Sequence, residues 1–177
     1  MKLSSRAKVI IFLVALGVLI FSQNRKIILW VVLTMVSTLI SYAMARKQLR
    51  LDLSPVFFFS IFMTNYMGWP YSIAFMAYAL TVPTIIGGMM PDPITFLFGG
   101  NLILINFIST LLLPIIGFVP AGLLMAVLEI IGSSIINTFV GRTPAEFMLF
   151  SIFAFLVNVV YFMGFGHILL LAVPFIR

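Results

Sequence analysis

Few residues in this sequence could do chemistry, and the best placed of them is Glu129. It stands near the middle of the apolar segment 119–140, about ten residues from either end. At ~1.5 Å per residue it lies roughly 15 Å deep in a helix that crosses a bilayer. Ser133 and Asn137 follow at i+4 and i+8 on the same helical face, with Gly132 beside them. A carboxylate at that depth is costly and faces the protein interior or a water-filled cavity. Either Glu129 contacts a ligand or ion, or it ties two helices together through a neighbouring amide or carbonyl.

The amides come next. Asn65 stands beside Tyr66 and Trp69, with Tyr71 just across a Gly68-Trp69-Pro70 break. Asn101 and Asn106 fall in the segment 93–117, and Asn158 in the last apolar segment, with Tyr161 at i+3. Amides and phenols with aromatic walls suit a neutral or zwitterionic small ligand held by few polar contacts. The plainer reading makes Tyr66, Trp69 and Tyr71 an interfacial belt and the asparagines bonds between helices. The ligand-binding candidates are therefore Glu129, Asn65, Asn101, Asn158, Trp69 and Tyr71.

Other polar residues have simpler duties. Ser54-Pro55, Asp92-Pro93 and Thr143-Pro144 each set an N-cap residue before a proline at the first helical position. Thr143-Pro144-Ala145-Glu146 is a capping box, so Ser54, Asp92, Thr143 and Glu146 are expected as structural caps. His167 is the single histidine and cysteine is absent, which leaves no thiolate or polyhistidine metal site and no disulfide. No H-E-x-x-H, G-x-S-x-G or Gly-rich phosphate loop occurs. The expectation is a protein that is not an enzyme, with no cofactor and no metal.

The elements that must position these residues are lipid-embedded helices. No charge occurs between Asp52 and Asp92, and the chain of 177 residues is 63% hydrophobic and 8% charged, against about 25% charged in soluble domains. Seven apolar segments can be drawn, roughly 7–22, 27–45, 54–68, 70–89, 93–117, 119–140 and 144–173. The fold class is all-α, a polytopic transmembrane bundle of six to seven helices. It forms one integral membrane domain over 1–177, with 7–22 as an additional, uncleaved N-terminal span. Ser37, Ser41 and Ala45 on the second segment, and Ser60, Thr64 and Gly68 on the third, make small-residue stripes. These serve as internal seams or as a contact for another subunit.

The net charge of +6 does not point to nucleic acid, because the positives sit at the ends of apolar runs, where they set topology and meet anionic headgroups. With seven spans and the N-terminus inside, Lys2, Arg6, Lys8, Arg46, Lys47, Arg50 and Arg142 are cytoplasmic, against Arg25, Lys26 and Arg177 outside. A segment 54–68 that dips in and returns gives the same balance, so charge fixes the N-terminus but not the number of spans. The expected location is the cell membrane, multi-pass, with the N-terminus cytoplasmic.

Ser54-Pro55 through Met67, then Gly68-Trp69-Pro70-Tyr71-Ser72-Ile73-Ala74, Asp92-Pro93 opening the next helix, and the later Asn158 carry a resemblance in layout. Over roughly residues 27–173 the chain resembles the S components of energy-coupling-factor transporters, and also the MreD-type rod-shape membrane proteins. The first resemblance implies a six-helix bundle that binds a vitamin or metal near its outer face and docks on a transmembrane coupling subunit with two ATPases. Where such proteins dock through an alanine-spaced stripe, this sequence has Ser37, Ser41 and Ala45. The second implies a non-catalytic scaffold for cell-envelope assembly. The leading expectation is a substrate-binding subunit of a small-molecule uptake transporter without its own ATPase. An outward-opening polar cavity lined by Asn65, Asn101 or Asn158 would favour it over the scaffold.

Overall fold

Val56 to Met63 are buried without a break, so the shortest apolar helix is the one around which the others stand. A helix that is apolar all round belongs in an interior, and Val56-Phe57-Phe58-Phe59-Ser60-Ile61-Phe62 has only one hydroxyl to accommodate. The computed structural model describes residues 25–46, 53–86, 93–141 and 144–176, and among them the regular structure is entirely helical. The order is α1 (Arg25–Arg46), α2 (Val56–Phe62) continued by a π-helical turn (Met63–Met67), α3 (Trp69–Ile86), α4 (Pro93–Ile116) and α5 (Phe118–Phe139). Then come α6 (Pro144–Val160), a second π-helical turn (Tyr161–Phe165), and the short α7 (Gly166–Leu170) and α8 (Val173–Ile176).

Five helices among the described residues are long and apolar enough to cross a membrane: Arg25–Met44, Trp69–Ile86, Pro93–Ile116, Phe118–Phe139 and Phe150–Leu170. The chain is an all-α, multi-pass membrane protein. The expected span 7–22 lies outside the described residues.

Two single glycines make the sharpest corners. Gly68 (φ +106°) separates the first π turn from α3, and Gly117 (φ +83°) separates α4 from α5. A side chain at either φ would be strained, which is why one residue suffices for each reversal. The cap expectations are only partly reached by the structure. α2 begins at Val56, with Pro55 in the N-cap position instead of Ser54, and the Pro55 carbonyl accepts from the Phe59 N–H at 2.8 Å. Asp92, Thr143 and the side chain of Glu146 lie outside the described residues.

The short helix joins opposite ends of the bundle. Near its beginning, the Leu53 N–H donates to Met44 Sδ, close to the end of α1. Past its end, the Tyr71 carbonyl accepts from the Trp30 indole N–H at 2.9 Å, close to the start of α1. A segment that dipped and returned would bring Tyr71 back to the Met44 end. So α1 and α3 run the same way and α2 runs against both. α2 also runs parallel to α4, since Ser60 meets Asn106 and Asn65 meets Ser109 in ascending order.

Two clusters seal the centre. One is aromatic: Phe58 stands edge-on to Phe162 with centroids 4.9 Å apart, stacks on Tyr161 at 5.7 Å and meets Phe118 at 5.9 Å. The other is polar. Asn106 donates to Ser60 Oγ (3.0 Å) and to the Leu102 carbonyl (2.8 Å), while its Oδ1 accepts from Thr64 Oγ1 (2.9 Å). The Thr64 and Ser72 hydroxyls lie 2.7 Å apart, and Ser72 also reaches the Ser60 carbonyl. Asn106 is fully buried, and its amide is satisfied by three helical segments at once, the condition under which a buried polar group is tolerated.

Both π turns serve the central helix. A π turn inserts an extra residue and rotates the side chains beyond it to a new direction. In the first, consecutive Thr64 and Asn65 both reach α4. In the second, consecutive Tyr161 and Phe162 both reach the α2 segment, Tyr161 through its hydroxyl to the Leu53 carbonyl at 2.8 Å. Members of the small-residue stripes are buried here, although the Ala45 side chain lies outside the described residues. Ser60 and Thr64 sit in the polar cluster, and Ser37 is fully buried in α1, whose main neighbour is α3.

Candidate ligand cavity

The centre is sealed on one side of the Asn106 cluster and hollow on the other. A cavity of about 860 Å³ occupies the half of the bundle where α1, α3 and α5 end and where α2, α4 and α6 begin. That volume is within the range of small-molecule sites, about 300–1,000 Å³. Its walls are Ser41 and Met44 from α1, Ser54, Val56 and Phe57 from the head of α2, and Ala79, Leu80, Pro83 and Thr84 from α3. The far side is Thr95, Phe98, Asn101 and Leu102 from α4, Glu129, Ser133 and Asn137 from α5, and Phe150, Ser151 and Ala154 from α6. Leu102 forms part of the floor, since its carbonyl is already bonded to Asn106 one turn deeper.

Glu129 is the one ionisable side chain among the described lining residues. It is half-buried at the middle of α5, so it sits at the inner end of the α5 wall, with Ser133 and Asn137 leading outward along the same face. Ser133 Oγ lies in hydrogen-bond contact with both the Glu129 carbonyl and its carboxylate Oε1, the latter at 2.8 Å. Asn137 Nδ2 donates to the Ser133 carbonyl at 2.8 Å. The ladder braces the Glu129 side chain along the helix axis.

Asn101 reaches the same patch from α4. A Cβ built on Gly132 would fall 2.1 Å from Asn101 Oδ1 and 2.7 Å from its Nδ2, so the amide lies directly on the glycine. Gly132 is at i+3 from Glu129, and such positions are neighbours about 5–6 Å apart on a helix surface. The absent side chain at 132 is what admits the amide to the α5 surface one helical turn from Glu129.

α3 brings Pro83 and Ala79 to the wall together. Pro83 has no N–H to give to the carbonyl four residues back, which is that of Ala79, and both residues line the cavity. Within α3, the Ala79 carbonyl therefore lacks its usual helical donor.

The remaining candidates sit elsewhere. Asn65 donates to the Ile61 carbonyl (2.8 Å) and to Ser109 Oγ (2.9 Å) on the far side of the Asn106 cluster. Trp69 and Tyr71 lie at the opposite end, where the Tyr71 carbonyl is bonded to Trp30. Asn158 is buried in α6 and is not part of the lining. The cavity therefore gathers Glu129 and Asn101 and leaves Asn65, Asn158, Trp69 and Tyr71 apart from them. Thr84, Thr95 and Ser151 line it without any spacing to announce them, one hydroxyl on each of three helices. Pro83 reads in sequence only as a kink. Its signal was the pairing of a mid-helix proline with a span that must otherwise satisfy every carbonyl.

Among the described residues no cluster of three or more His, Cys, Asp or Glu side chains could hold a metal ion. No protein-family model, curated protein or solved structure matches the chain.

Proposed function

We propose that this chain is the membrane-embedded binding subunit of a small-molecule uptake transporter, and that its ligand carries a positive charge. The observation that carries this is the cavity: an 860 Å³ space in the bundle, lined by hydroxyls and amides around Glu129, the one carboxylate among the described lining residues. A scaffold held together by small-residue seams needs no such volume. Glu129 among the neutral hydroxyls and amides of the described lining suits an organic cation better than a calcium or magnesium ion, which gathers six or more oxygens, several of them anionic or water. The sequence has no phosphate-binding loop, so energy would come from partner ATPases acting through a transmembrane coupling subunit. The protein acts in the cell membrane with its N-terminus cytoplasmic. α1 ends in Arg46 at the cavity end, and Lys47 and Arg50 come next in sequence; the positive-inside rule supports a cavity in the cytoplasmic half. That placement is the release side of an uptake cycle, opposite to the outward cavity that the resemblance implies.

The test is thermal stability of the purified protein in nanodiscs with millimolar organic cations, primary and quaternary, and with organic anions of matched size. Cations should raise the melting temperature of wild type and leave Glu129→Gln unmoved. No shift by any cation, or an equal shift by the anions, overturns the reading. Recovery of an ATPase and a second membrane subunit with the chain from native membranes would identify the transport machinery.

A further inference from the structure

We propose that Asn101, seated on Gly132, is the residue by which the cavity distinguishes a cation bearing N–H groups from one that is fully alkylated. The inference rests on the reading of the cavity as a site for organic cations and goes on to name the class. Glu129 supplies charge, and charge alone attracts primary and quaternary ammonium groups alike. A hydrogen-bond acceptor held close to the carboxylate separates them, since only the primary ammonium has protons to give.

Asn101 is in that place for a steric reason. Its amide oxygen would be 2.1 Å from a Cβ at position 132, a separation that no side chain permits. Gly132 stands one helical turn from Glu129, so the amide and the carboxylate border the same patch of cavity wall. The Ala79 carbonyl, denied its helical donor by Pro83, belongs to a lining residue of the α3 wall and is a second candidate acceptor. Among the described lining residues the polar side chains are the Glu129 carboxylate and neutral hydroxyls and amides. An alkylammonium, or the planar N–H array of a guanidinium, answers that arrangement; a trimethylammonium group meets it with methyls.

The experiment uses full-length protein in nanodiscs and two probes of similar size, phenethylammonium and its N,N,N-trimethyl analogue, with affinities read by calorimetry. Wild type should favour the primary amine by about tenfold, the scale of one hydrogen bond to a charged group. Asn101→Ala should lose that preference by weakening the primary amine alone, with the quaternary affinity kept. Gly132→Ala, which pushes the amide off its seat, should do the same. Asn101→Ala removes atoms without adding any, so it decides the matter even if Gly132→Ala does not fold. Equal weakening of both probes by Asn101→Ala would make Asn101 a structural residue and overturn the proposal. Unchanged selectivity would overturn it too, while leaving the cation site standing if Glu129→Gln still abolishes binding. Failure of wild type to bind either probe overturns the cation site, and this inference with it.

Discussion

The Trp30 indole N–H donates to the Tyr71 carbonyl at 2.9 Å, and that bond fixes how the bundle is threaded. Trp30 is near the start of α1 and Tyr71 near the start of α3, so both helices set out from one end. The thirteen residues from Pro55 to Met67 must then climb the bundle in between. At ~1.5 Å per residue they cover roughly 20 Å, short of a bilayer core of about 30 Å. They manage because α2 is inside protein, where the hydrophobic thickness does not apply.

That threading is open to a labelling test. Single cysteines at Trp69 and Gly141 lie at opposite ends of the bundle, and an impermeant maleimide should reach position 69 from outside intact cells and position 141 only after lysis. Labelling of both from one side would mean that the short helix returns to the end it started from. The chain contains no native cysteine, so no background substitution is required.

The Asn106 cluster should be the most sensitive polar site in the molecule. Asn106→Ala removes one hydrogen-bond partner each from Ser60, Thr64 and the Leu102 carbonyl, at about 0.5–1.5 kcal/mol per bond lost. We expect a loss of about 2 kcal/mol or more in unfolding from mixed micelles. Asn65→Ala should cost about 0.6 kcal/mol, an average interhelical hydrogen bond in a membrane, because Asn65 is only half-buried. A reversed order of the two variants would show that the cluster is not the keystone of α2 packing.

Gly122 tests the aromatic cluster in the same way. A Cβ there would fall 2.0 Å from Phe162 Cε1, and the ring is fully buried between Phe58 and Phe118. Gly122→Ala should destabilise by about 1–3 kcal/mol, the cost of overpacking a filled core. Combining it with Phe162→Leu should recover part of the loss. Gly100→Ala, with nothing within 4 Å of the added atom, should be neutral or slightly stabilising, and a comparable loss there would point to helix geometry instead of the ring.

Most of this architecture could be read from the sequence because helix ends are written locally. The expected segments 93–117 and 119–140 match α4 (Pro93–Ile116) and α5 (Phe118–Phe139) to within a residue or two, since proline starts a helix and a positive-φ glycine stops one whatever surrounds them. Glu129 stood out for an equally local reason, a charge in an uncharged run. The π turns were not legible, because they arise where two consecutive side chains are both drawn to a neighbouring helix, a demand made by residues far along the chain. The cavity was not legible either. Asn65 and Asn101 look alike in sequence, yet one is bonded to Ser109 beyond the polar cluster and the other lines the hollow half. Which side of Asn106 each falls on depends on the parallel register of α2 and α4, and no spacing along a single helix reveals it.

Pro83 offers the sharpest separation of stability from function. It is buried inside α3 on the cavity wall, where it withholds an N–H from the Ala79 carbonyl. Proline in a helix interior is less favourable than alanine by about 3 kcal/mol in water, and a membrane helix tolerates it when other groups satisfy the freed carbonyl. Pro83→Ala would return the N–H and let it bond within the helix. If Pro83 only bends α3, the variant should shift packing, and any change in affinity should follow the change in melting temperature. If the freed carbonyl is a ligand acceptor, the two readouts should part company. We expect the melting temperature of Pro83→Ala in nanodiscs to hold or rise while the affinity for phenethylammonium falls severalfold. Unaltered affinity in a folded Pro83→Ala protein would remove the Ala79 carbonyl from the site and leave cation recognition to Glu129 and its neighbours on α4 and α5.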